Sequence, residues 1–197
     1  RGKRSNRLRI NYRTTEEIKN LAISVLHGED FDDFDGNMEE KSGYLSLFHG
    51  VKPQYRLYPS KEEELDAVLE EIESLISQGF HYNDIVIAAR FRDSVNDFRN
   101  HLHQNMVPYV TKFLLNRNNE GIRLTTFHGL KGLEFKHVFL VDVNDRTLPF
   151  KHHNYHMLSE EEKKQEIQSE KSLFYVACSR AIRSEEHTSE LQSRQSI

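Results

Sequence analysis

The stretch GIRLTTFHGLKGLEFKHVFLVDV, residues 121–143, sets two short apolar runs of β type, residues 122–125 and 138–141, on either side of a polar, glycine-containing segment. That segment carries Thr126, His128, Lys131, Gly132 and Glu134. Buried strands that frame a polar loop hold it at the margin of a sheet, where its side chains can bind something. The rest of the chain is read outward from this unit.

Upstream, residues 84–89 (DIVIAA) form a continuous apolar run of the kind buried on both faces of a parallel sheet. Before that run, Ser60 and Glu63 give a capping-box signature, and Leu65, Val68, Leu69, Ile72, Leu75 and Ile76 recur on one helical face until Gly79. After it, Val95, Phe98 and Leu102 predict a second amphipathic helix, and residues 107–110, with Pro108, predict an edge strand. Further out, residues 8–10 read as a strand that leads to a helix capped by Thr14 or Thr15, with Ile18, Leu21, Ala22, Val25 and Leu26 inward. Residues 55–58 read as another strand. Downstream, Ser159 and the acidic run Glu160, Glu161, Glu162 start a long final helix expected to carry Arg180. Strands alternating with helices predict an α/β fold with a parallel sheet.

Composition narrows the function classes. A 197-residue chain with 37% hydrophobic and 29% charged residues can bury one core, and a net charge of -4 argues against wrapping duplex DNA on charge alone. No apolar run is long enough to span a membrane. The lone Cys178 excludes an internal disulfide and suits a reducing, cytoplasmic setting. The acidic loop at residues 29–40 lacks carboxylates at both anchoring positions of a calcium loop, Phe31 and Ser42, and reads as solvated. His152, His153 and His156 have no nearby carboxylate to complete a metal set and read as an exposed loop.

Without an initiator Met, the chain is expected to be an internal piece of a longer protein. Residues 183–193, RSEEHTSELQS, have no apolar period and resemble the in-frame translation of a sequencing-adapter oligonucleotide. Residues 1–182 are therefore taken as the domain, and residues 183–197 as a tail foreign to it. Tyr12 and Arg13, the segment from Thr126 to Glu134, and Arg180 are expected on one edge of the sheet. Two arginines converging there suit a phosphate, which a guanidinium fork grips with paired charge-assisted bonds. No Gly-x-x-x-x-Gly-Lys-Ser/Thr phosphate loop is present.

Three segments carry a resemblance. LRINYRT from Leu8, LTTFHGLKGLEF from Leu124 and EKSLFYVACSRA from Glu170 resemble, in the right order, motifs IV, V and VI of UvrD/Rep-type superfamily 1 DNA helicases. Together they span almost all of residues 1–182 and correspond to the second, RecA-like lobe. The resemblance implies that Tyr12 stacks on adenine, that Arg13 and Arg180 reach the γ-phosphate of ATP, and that Glu134, with Gly132 beside it, contacts the nucleotide. It also implies that Thr126, His128 and Arg90 contact single-stranded DNA. The ligands of Mg2+ would belong to the N-terminal RecA-like lobe, the expected partner within the same protein, so this piece alone is expected not to hydrolyse ATP.

Three departures qualify the match. Ser172 and Ser179 stand where the family usually has arginine and threonine, and only about 110 residues separate the first motif from the central one. Ordinary connections leave no room there for the large accessory insertion common in these helicases, so translocation fits better than regulated unwinding. The alternative that the residues leave open is a RecA-like interaction module without ATPase activity.

Overall fold

The computed structural model describes residues 10–11, 15–18, 20–21, 45–46, 52–111 and 120–182. At the start, β1 (Ile10–Asn11) pairs in parallel with β2 (Leu45–Ser46), a partner that the sequence did not mark. Residues 16–18 and 20–21 are helical, and the Thr15 hydroxyl accepts the Ile18 amide at 3.5 Å as a cap.

The main sheet has β3 (Ile85–Ala89), β4 (Tyr109–Val110), β5 (Ile122–Thr126) and β6 (His137–Val141) in the order β4-β5-β3-β6, every pairing parallel. Two helices, α1 (Lys61–Ser77) and α2 (Arg92–Gln104), cover one face; α3 (Glu160–Cys178) and a 3-10 turn at Phe127–Leu130 cover the other. Strand alternation divides the core accordingly. Ile85, Ile87 and Ala89 pack with Ile72, Phe98 and Leu102, whereas Val86 and Ala88 pack with Phe127, Leu130 and Ala177. All five β3 residues are buried, as the unbroken apolar run required.

Local chemistry fixes the helix ends. Ser60 Oγ accepts the Glu63 amide at 3.2 Å, and Ser159 and Glu162 form a reciprocal capping box at the head of α3. At the end of α1, the Gly79 amide donates to Ile76 O at 3.0 Å and the Phe80 amide to Leu75 O at 3.2 Å, the two bonds of a Schellman motif. Gly121 sits so close to Tyr109 that a Cβ would lie 2.8 Å from its backbone nitrogen, which is why the strand that opens the 121–143 unit begins with glycine.

Two expectations are corrected. Residues 55–58 form no strand: the segment is irregular, with Tyr55 and Leu57 70% and 80% exposed, because β propensity without a paired neighbour does not hold a strand. The last helix stops at Cys178, so Ser179 is its cap and Arg180 follows in the turn. Among the described residues no helix is long and apolar enough to cross a membrane. Residues 183–197 lie outside the described residues.

Candidate functional site

The polar segment begins where β5 ends. The Thr126 hydroxyl accepts the Gly129 amide at 3.4 Å and so caps the 3-10 turn, while Phe127 and Leu130 anchor that turn in the core. His128 and Gly129 are left exposed between the anchors. The chain then crosses the sheet's face with Gly132 at φ +81°, a left-handed conformation that costs other residues about 1–2 kcal/mol. Glu134 is exposed just before β6.

The sheet is parallel, so this path runs from the carboxyl end of β5 to the amino end of β6. Helix α3 follows the same axis against the strands. Glu170 meets Arg90 just past the carboxyl end of β3, and ten residues later Arg180 meets Phe135 just before the amino end of β6. The helix from Glu170 to its end at Cys178 spans about 12 Å. The expectation that Thr126, Glu134 and Arg180 share one edge is therefore corrected. Thr126 and Arg90 stand at the carboxyl end on adjacent strands, with Thr126 in register with Ala89, whereas Glu134 and Arg180 stand at the amino end. The segment and α3 both traverse the sheet, which is why two residues eight apart in sequence face opposite ends.

At the amino end the arrangement is made by backbone. The Phe135 amide donates to Arg180 O at 3.0 Å, and the Ile182 amide donates to Phe135 O at 2.9 Å, a parallel bridge centred on Phe135 and Ala181. The Arg180 guanidinium folds onto the end of its helix, Nε donating to Val176 O at 2.9 Å and Nη2 to Ser179 Oγ at 2.9 Å. Ser179 Oγ itself donates to Val176 O at 2.9 Å. Among the described residues no carboxylate pairs with Arg180. An arginine at this place, joined through the Phe135 bridge to the segment that carries exposed Glu134, fits a nucleotide phosphate in the chemistry of its donors.

At the carboxyl end, Arg90 is occupied. Its Nε donates to Glu170 Oε2 at 2.9 Å and its Nη2 to Glu170 Oε1 at 2.8 Å, both side chains being only 12% exposed. The Phe91 and Phe150 rings lie 5.0 and 5.6 Å from the guanidinium carbon, and the Phe150 amide donates to Glu170 Oε2 at 3.3 Å. The loop that delivers Phe150 is held at Asp142, whose φ of +56° is rare outside glycine. The Asp142 amide donates to Glu64 Oε1 at 2.7 Å and its carboxylate accepts from Ser94 and Asn144.

Sequence reasoning overlooked Glu170 and Phe150. The signal for Glu170 was present: it falls with Ile167, Phe174 and Ala177 on the inward stripe of α3, where a carboxylate needs a buried partner. Tyr12 and Arg13 lie outside the described residues. His152, His153 and His156 do not converge, and among the described residues no group of three His, Cys, Asp or Glu side chains is arranged to hold a metal ion. The Cys178 thiol is pushed up to about 12 by burial, which makes it a core side chain and not a nucleophile.

An all-parallel sheet with helices on both faces, crossed by a polar segment that ends beside Arg180, has the architecture of a RecA-like α/β lobe. The chain belongs to the UvrD-like helicase C-terminal domain family, whose model matches residues 6–116 and 111–184. A probable DNA helicase II homolog of Mycoplasma capricolum subsp. capricolum is 28% identical over 102 residues, 52% of this chain and 13% of that protein. The crystal structure of the C-terminal domain of a possible DNA helicase from Lactobacillus plantarum WCFS1 superposes with a TM-score of 0.56 at 18% identity, over 88% of this chain and 83% of that one. The latter likeness establishes the fold.

Proposed function

We propose that this domain is the C-terminal motor lobe of an ATP-dependent DNA translocase or helicase, facing an N-terminal RecA-like lobe of the same protein in a reducing, cytoplasmic setting. The observation that carries this reading is the backbone bridge between Phe135 and Ala181, which brings Arg180, with no described carboxylate partner, to the end of the polar segment that carries Glu134. Phosphoryl transfer needs positive charge at the γ-phosphate as the bond breaks, and an arginine presented from a facing lobe supplies it on closure. Arg180, and with it Arg13, would give that charge. Tyr12 would stack on the base, and Glu134 and Gly132 would hold the rest of the nucleotide. Mg2+ would be bound by the other lobe.

Thr126 and His128, at the opposite end of the same segment, would meet a single strand of DNA. A segment that touches nucleotide at one end of the sheet and strand at the other can convert lobe closure into a step along DNA. In the two-lobed parent protein, Arg180→Ala is expected to lower DNA-stimulated ATP turnover by about 10³-fold or more. Unchanged turnover would leave the interaction-module reading in its place. The 197-residue chain alone is expected to show no ATP hydrolysis.

A further inference from the structure

We infer that Arg90 and Glu170 form a positioning pair that fixes α3 along the sheet and thereby places Arg180, and that Arg90 acts through this pair and not by touching DNA. The part concerning Arg180's task rests on the function proposed above; the mechanical part rests on geometry alone.

Three observations converge. First, the pair is made for holding: two parallel charge-assisted bonds of 2.8 and 2.9 Å fix the guanidinium's angle as well as its distance, a constraint that lysine could not reproduce. Second, the guanidinium is covered. With Phe91 and Phe150 over it and 12% of the side chain exposed, it offers little surface to a polyanion. Third, Glu170 lies on the inward stripe of α3, and its Oε2 also takes the Phe150 amide, so one carboxylate ties the end of β3, the loop after β6 and the middle of the last helix.

Around it, Leu173, Phe174 and Ala177 of α3 pack through apolar contacts with Val86 and Ala88 of the sheet and Phe127 of the 3-10 turn. The hydrophobic effect is non-directional and rewards burial more than one exact helix position. A bidentate pair fixes distance and angle together. Fixing α3 at Glu170 fixes, through about 12 Å of helix to Cys178 and the turn that follows, where Arg180 emerges and whether its carbonyl meets the Phe135 amide.

The mechanical part can be tested on the chain as it stands, by amide hydrogen exchange. Glu170→Gln and Arg90→Lys should each speed exchange at Phe135 and Ile182 by about tenfold or more, while Ile87 and Leu124 keep their wild-type rates and so show that the core stays folded. The double variant should be no faster than either single one, since each removes the same constraint. Wild-type exchange at Phe135 and Ile182 in both variants would overturn the inference. In the two-lobed protein the same substitutions should lower kcat for ATP several-fold and leave the Kd for single-stranded DNA and its salt dependence unchanged. A weakened Kd with a shallower salt slope in Arg90→Lys or Arg90→Ala would instead make Arg90 a strand contact and overturn the inference. Failure of the lobe reading is visible separately, as an Arg180→Ala variant with normal turnover beside a positive exchange result.

Discussion

The amide of Phe135 donates to the carbonyl of Arg180 at 3.0 Å, so the end of the polar segment and the turn after α3 are joined by main chain, whatever their side chains do. The side chain of Arg180 is then aimed by its own helix end, through Val176 O and Ser179 Oγ.

A prediction about Ser179 follows. In the two-lobed protein, Ser179→Ala removes the acceptor of Arg180 Nη2, a hydrogen bond to a charged group worth roughly 1.5 kcal/mol or more, so ATP turnover should fall about tenfold. Ser179→Thr keeps the hydroxyl and should retain near-normal turnover. Steady-state kinetics would check the pair, and equal activity in the Ala and Thr variants would show that the serine does not aim Arg180.

What the sequence revealed and what it hid divide along physical lines. β3, α1 and α2 were legible because their residues repeat a single period and end on strong local signals, Ser60 and Gly79 among them. The polar segment was legible as a functional element because two apolar runs frame it. Its direction was not. Whether Thr126 and Glu134 share an edge depends on the parallel register of β6 and on α3 returning against the strands, and no local pattern encodes either. Residues 55–58 misled for the converse reason: their residue types favour a strand, but the described structure gives them no strand to pair with. Arg90 and Glu170 are 80 residues apart, and only the inward position of the glutamate hinted that it had a partner.

Gly121 is constrained by space. A Cβ there would lie 2.8 to 2.9 Å from three backbone atoms of Tyr109, and the Gly121 amide donates to Asn83 Oδ1 at 2.8 Å, so neither chain can yield without losing a pairing. Gly121→Ala should therefore destabilise the domain by about 1–3 kcal/mol, the range for overpacking. Denaturant unfolding would measure it. A midpoint equal to wild type would mean that β4 shifts freely at the sheet's edge.

His137 makes stability depend on pH. It opens β6 on the wall of a cavity of about 310 Å³, its ring 4.3 Å edge-on from Phe80, and its buried Nε2 has no hydrogen-bond partner among the described residues. Burial holds its pKa below the ordinary 6.5, with Lys136 acting in the same direction and Asp84 opposing. The fold therefore favours the neutral ring. With the folded pKa depressed, the unfolded chain binds more protons in this window, so the stabilisation is complete above about pH 6.5 and is lost as pH falls through the lower folded value. His137→Phe keeps the ring against Phe80 and removes the titration. Between pH 7 and 5 the wild-type denaturation midpoint should fall more steeply than that of His137→Phe, the other histidines contributing equally to both. Parallel curves would show that the protonated ring finds solvent through the cavity without cost.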